Sequence, residues 1–176
     1  MSHHNPPLGH SPTDPKAGRR KAGRAQKDPS QDPYHTAAKH SGPCECPQCD
    51  AVYVQGRWQW GLAPKGAESV LCPACRRIID RVPAGIVTLT GASVRTHGKE
   101  MIRLARHQEE TEKKEHALNR IIAIDEEAPD KLVITTTDIH LPRRIGETVE
   151  RAYHGRLNED FDEDGYFVRV DWHNDG

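Results

Sequence analysis

Two Cys-Pro-x-Cys pairs, Cys46-Pro47-Gln48-Cys49 and Cys72-Pro73-Ala74-Cys75, stand 22 residues apart in a chain of 176. Two residues between cysteines let one tight turn aim both sulfurs at a common point, and a proline in each turn sets its backbone in advance. Two such turns brought together across a hairpin close a tetrahedral four-thiolate site. The spacing is slightly beyond the usual range for this pattern but is still that of a ribbon. The pairs therefore read as ligands of a structural Zn2+, held by Cys46, Cys49, Cys72 and Cys75 with no open position for chemistry. Redox-active pairs and an iron–sulfur cluster are the alternatives that four cysteines leave open. A fifth cysteine, Cys44, precedes the first pair. It reads as a spare thiol, with a ligand exchange against Cys46 as the alternative.

Composition divides the chain around this module. Hydrophobic residues make up 35% and charged residues 29%, too lean a mixture to bury a core along the whole length. Residues 1–43 hold seven prolines and four glycines and no Val, Ile, Phe or Trp. They read as a disordered, basic, Pro/Gly-rich tail, either merely solvated or an arm that settles on nucleic acid. Residues 44–82 form the ribbon, in which two β-type runs flank a turn at Gln55-Gly56. Arg76 to Asp80 reads as one turn of helix.

Residues 83–173 carry a second pattern. Strands are expected at 85–90, 120–125, 132–137 and 166–172. Helices are expected from Lys99 to about Ala117 and from Asp138 onward, the latter with Leu141, Ile145, Val149 and Tyr153 on one face. The far end of the first helix is polar all round and is expected to project into solvent. The order strand, helix, strand, strand, helix, strand is that of a ferredoxin-like, split-βαβ α+β domain. The sheet face opposite the helices is one that RNA-binding modules use, although fold alone assigns no function.

Arginines mark the candidate binding surface. Arg57, Arg76 and Arg77 surround the ribbon, with Trp58 and Trp60 beside them, a mixture that stacks bases and holds phosphates. The same tryptophans also suit the simpler task of covering the hairpin. Arg143 and Arg144 fall in the first turn of the second helix, where the helix dipole disfavours cations. That placement suggests a bound anion such as phosphate, while Thr135-Thr136-Thr137-Asp138 suits plain helix capping. No catalytic set emerges, and the chain reads as non-enzymatic. His140, Asp138 and His154 are the residues an unrecognised enzyme would have to use.

No run approaches the ~18 apolar residues that cross a bilayer, and the N-terminus has no apolar segment of a secretory signal. Membrane association is not expected, and the reading is cytoplasmic. Near-zero net charge, −1, and an acidic segment at 158–164 keep a protein-interaction module as the rival to RNA.

From Cys46 to Trp172 the chain resembles a family of small bacterial proteins. The resemblance is carried by residues 46–49, by Cys-Pro-Ala-Cys-Arg-Arg-Ile at 72–78 and by Pro-Ala-Gly with its strand at 83–90. It continues through Thr-Thr-Thr-Asp-Ile-His-Leu with Arg-Arg-Ile-Gly at 135–146 and Val-Arg-Val-Asp-Trp at 168–172. Its paired cysteine region resembles the N-terminal zinc region of the export adaptor of the large ribosomal subunit. That resemblance implies association with the ribosome or its RNA. Nuclear export does not carry over to a bacterial protein.

Overall fold

The computed structural model describes residues 32–34 and 40–176. Most of the tail expected at 1–43 lies outside the described residues. The ribbon is a four-stranded sheet in the order β3-β2-β1-β4, made of β1 (Cys44–Glu45), β2 (Val52–Val54), β3 (Arg57–Gln59) and β4 (Glu68–Ser69). Gln55 and Gly56 join β2 to β3 with φ of 55° and 83°. Two consecutive positive φ values form the two-residue hairpin turn whose twist matches the strands it joins. Helix α1 (Pro73–Asp80) starts at the second cysteine pair, earlier than expected. Pro73 occupies its first turn, where no amide hydrogen is needed, and the Cys72 sulfur caps it by accepting from the Cys75 amide.

The second unit runs β5 (Gly85–Thr90), α2 (Ala92–Glu115), β6 (Ile121–Ala128), β7 (Lys131–Thr136), α3 (His140–Tyr153), β8 (Arg156–Phe161) and β9 (Val168–His173). Its sheet order is β6-β7-β5-β9-β8. Strand β7 lies between β5 and β6 and runs antiparallel to both, which is the expected split βαβ. The other half departs from the ferredoxin-like expectation. There are five strands, and β9 enters beside β5 running parallel to it. The extra strand is β8, antiparallel to β9 on the outer edge. The chain leaving α3 forms β8 first and then turns back into the sheet.

Residues 156–161 gave no strand signal because Leu157 and Phe161 are the only apolar residues among Asn, Glu, Asp and Arg, types depleted in strands. Pairing with β9 supplies what propensity lacks. The acidic residues suit an edge, since charge there discourages pairing with another chain. The acidic segment is thus folded structure. Asp162 closes the β8–β9 turn by accepting from the Tyr166 and Phe167 amides.

Strict alternation builds the core. Val87 and Leu89 of β5, Leu132 and Ile134 of β7, and Val168, Val170 and Trp172 of β9 are buried on one face. They pack on Met101 and Ala105 of α2 and on Leu141, Ile145 and Val149 of α3. Helix α2 begins seven residues before the expected start. Gly91, at φ 107°, lets the chain pass directly from β5 into the helix, and the Ser93 amide donates to the Asn174 carbonyl. In residues 91–98 the weak helix formers Gly91, Ser93, Val94, Thr96, His97 and Gly98 outnumber Ala92 and Arg95, and burial of Val94 overrides that preference. The polar end of α2 is also engaged. Glu109 accepts from the Ile121 amide, and Glu112 accepts from the Asn119 side chain and pairs with Arg144.

Two glycines in helix interiors separate packing from propensity. A Cβ on Gly146 would lie 2.5 Å from Val170 Cγ1 and 2.9 Å from Leu157 Cδ1, whereas on Gly98 it meets only Val94 Cγ1 at 3.8 Å. Gly146→Ala is expected to lower the melting temperature, because overpacking at about 1–3 kcal/mol outweighs the helical gain. Gly98→Ala is expected to raise it, by about 0.5–1 kcal/mol of stability. Thermal denaturation of both variants checks the pair.

Candidate metal centre

Each cysteine pair is shaped by its own backbone. At the first, the Cys46 amide donates to the Ala51 carbonyl and the Asp50 amide to the Cys46 carbonyl, folding the chain back on itself. At the second, α1 supplies the turn. Amide hydrogens then point at sulfur, from Cys72 to Cys46 Sγ at 3.3 Å and from Cys75 to Cys72 Sγ at 3.4 Å. The four expected ligands come together, with all sulfurs within 4.8 Å of one another. The Cys49 and Cys72 sulfurs lie 3.8 Å apart. A tetrahedron of sulfurs about 2.3 Å from a central ion has edges of about 3.8 Å. The cysteines are free of disulfides, and their geometry fits a single metal ion. Cys44 is not in the cluster. It is fully buried in β1 and its thiol points toward the Gly42 carbonyl at 3.6 Å.

The electrostatics favour a cation at the centre. Burial is the largest influence on the Cys72 and Cys75 thiols. It pushes both up, Cys75 to about 11. Burial also acts to raise Cys46, but hydrogen bonds from the Cys72 and Gln48 amides and from the neighbouring thiols outweigh it and bring Cys46 down to about 7. Cys72 and Cys75, so raised, do not lose their protons alongside Cys46 at neutral pH unless an ion takes the place of those protons.

One charged side chain from outside the ribbon reaches the cluster. Arg120, 7% exposed, stands just before β6. Its guanidinium lies 2.9 Å from Cys49 Sγ, 3.4 Å from Cys75 Sγ and 3.7 Å from Cys72 Sγ. Burial disfavours its charge, but the contact with Cys49 and the field of Cys72 and Cys75 prevail and raise its pKa. Ala117 and Leu118, from the same connection, pack against the buried cysteines. The α+β unit thus closes a site whose ligands all belong to the ribbon. Sequence reasoning missed this connection. An arginine ahead of a strand carries no local sign of its target 45–71 residues away.

The arginines singled out by sequence fall into different settings. Arg57 is exposed and Arg76 is half-buried. Arg77 is 5% exposed and fully engaged, with Asp32 at 2.6 Å, the Val82 carbonyl at 3.1 Å and the Tyr34 ring at 4.3 Å. It clamps residues 32–34 onto α1 and is not placed to meet phosphate. The anion expected near Arg143 and Arg144 is supplied by the protein itself. Arg143 pairs with Glu159 of β8 at 2.8 Å and Arg144 with Glu112 of α2 at 3.2 Å. The α3 N-terminus is capped by Asp138, whose Oδ2 accepts from the His140 and Leu141 amides. His140 and His154 stand at opposite ends of α3, about 20 Å apart at a rise of about 1.5 Å per residue, so the conjectured His140, Asp138, His154 set is not assembled.

A groove of about 660 Å³ runs between the β2–β3 hairpin and the end of α2. Tyr53, Arg57, Trp58 and Trp60 form one wall, and Lys114 and His116 belong to the other. The Trp60 indole donates to the Lys113 carbonyl and so ties the walls together. Tyr53 and Trp58 pack ring to ring at 5.6 Å. Comparison with protein-family models, with curated proteins and with solved structures gives no match. No helix among the described residues is long and apolar enough to cross a membrane.

Cys72→Ser is expected to abolish metal binding and destabilise the ribbon, while Cys44→Ser retains the ion. Elemental analysis of the purified variants decides. Asp138 provides a test by pH. Burial raises its carboxyl to about 6 against the opposing pull of the Leu141 and His140 amides, and its Oδ1 is buried without a hydrogen-bond partner among the described residues. The folded chain therefore keeps a proton that the unfolded chain loses near pH ~4, and stability falls as pH rises from ~4 to ~6. Asp138→Asn preserves an acceptor for both amides and carries no charge. Its stability relative to the native chain is expected to climb across that window and level off above it, as read by chemical denaturation at a series of pH values.

Proposed function

We propose that the chain is a non-enzymatic zinc protein that binds RNA, engaging unpaired nucleotides in the groove between ribbon and α+β unit. The observation that carries this reading is the composition of that groove. Three aromatic rings, Tyr53, Trp58 and Trp60, stand beside Arg57 and Lys114 in a space of about 660 Å³. Aromatic faces stack bases without regard to sequence, and neighbouring cations follow the backbone phosphates. Structured RNA, including ribosomal RNA, offers unpaired bases in loops and bulges, which are the sites proteins read most readily.

Zinc is favoured for the centre by its all-thiolate, closed ligand set, which suits a structural ion. A multi-iron cluster would hold its cysteines around a larger body than sulfurs within 4.8 Å enclose. The ion holds the hairpin and its aromatic residues in place and takes no part in chemistry. Within this reading, phosphate contact passes from Arg143 and Arg144, which are already paired with carboxylates, to Arg57, Lys114 and the partly exposed Arg76.

A protein-interaction module is the second reading. Leu62, Ile79 and Val82 are 96%, 59% and 40% exposed on or beside the ribbon, apolar surface that a protein partner would cover. Titration of tryptophan fluorescence with single-stranded and duplex RNA separates the two. Quenching by the single strand is expected, weakening as salt rises. Arg57→Ala combined with Lys114→Ala, both at exposed positions, should lower affinity and reduce the slope of log affinity against log salt by about 2. No response at low salt would set the RNA reading aside in favour of a protein partner.

A further inference from the structure

Arg120 is an unusual residue to bury. It has five donors and no acceptor, and it stays charged at any ordinary pH. Its Nε donates to the Ala117 carbonyl at 3.0 Å, and its backbone amide donates to Thr137 Oγ1 at 2.9 Å. The connection before β6 is therefore anchored to the end of β7. The rest of the guanidinium is given to three of the four cysteines, with the Trp60 ring 5.8 Å away. A buried cation is tolerated only where a matching negative charge meets it. Four thiolates around a divalent ion leave a net charge of about −2, which is such a match.

The same short connection forms one wall of the groove. His116, Ala117, Leu118 and Asn119 of the connection, with Lys114 and Glu115 at the end of α2, line the groove together with Trp58 and Trp60. We propose that Arg120 is a positioning residue through which occupancy of the metal site docks the ribbon on the α+β unit and assembles the groove. This rests on the reading of the four cysteines as a metal site, and it holds whatever occupies the groove. With the ion bound, Arg120 balances the thiolates and the walls stay closed through the Trp60–Lys113 bond. With the ion lost, nothing holds the sulfurs at one point, the guanidinium loses its fixed partners on Cys49, Cys72 and Cys75, and the walls part. Metal supply thereby controls a binding surface made half of ribbon and half of α+β unit.

The test uses the full-length chain as isolated, with its metal measured, and compares the native sequence with Arg120→Met and Arg120→Lys. Amide hydrogen exchange at 57–60 and 113–119 reports the groove, and exchange in β5, β7 and β9 reports the core. Chelation of the native chain is expected to speed exchange in both groove segments by roughly tenfold or more while the core stays protected. Arg120→Met is expected to keep its ion yet show that fast exchange with metal bound, and Arg120→Lys to restore part of the protection. In cobalt-substituted protein, loss of the guanidinium donors should move the thiolate-to-metal charge-transfer band to lower energy, a change that a packing defect alone does not produce.

Metal-loaded Arg120→Met with native exchange at both segments and an unshifted cobalt band overturns the link and leaves the metal site intact. A native chain that carries no metal after reducing purification and still protects the groove overturns the metal reading, and the link with it. If Arg120→Met does not fold, chelation of the native chain and the Arg120→Lys cobalt spectrum decide by the same criteria.

Discussion

Four cysteines brought to one point in a place with almost no core are the constraint around which this molecule is arranged. The cluster around the four sulfurs is made of cysteines, alanines and the partly buried Leu71, Trp58 and Leu118. Side chains so small bury too little apolar surface to order a forty-residue ribbon. An ion held by the four cysteines would supply the missing free energy of folding, and it would require thiolates whose charge is balanced in the interior. Amide hydrogens from Cys72 and Cys75 do part of this. Arg120 contacts three of the four sulfurs, and because it belongs to the α+β unit, this contact joins the two units.

The α+β unit has the opposite economy. Its sheet and two helices bury a continuous aliphatic core, with Trp172 fully covered and its indole donating to the His154 carbonyl. Such a unit needs no ion. What it provides is a rigid frame from which the end of α2 and the segment before β6 are presented to the ribbon. The groove results from that meeting. Neither wall is complete alone, since the aromatic side comes from the hairpin between the cysteine pairs and the other side, with Lys114, Glu115 and His116, from the end of a helix ordered by the aliphatic core.

Arginines show how far charge can be read from a linear chain. The position of Arg143 and Arg144 at a helix start implies a compensating anion. The anions turned out to be Glu159 on an edge strand and Glu112 on another helix, together with the capping carboxylate of Asp138. Arg77 looked like surface charge and is a buried clamp. In each case the missing information was which carboxylate lies across the fold.

The clustering of the four cysteines, the Gln55-Gly56 turn, the positions of β5, β7 and β9, the buried face of α3 and the split βαβ were legible in the sequence. All of these are local: two-residue spacing, two-residue alternation, four-residue periodicity, and the demand of one turn for positive φ. Tertiary structure alone decided that β8 forms, that β9 therefore runs parallel to β5, that α2 begins at Ala92, and that Arg120 reaches the cysteines. These features arise from pairing and packing between residues far apart in the chain, where weak local preference is outweighed by contacts that exist only once the fold has closed.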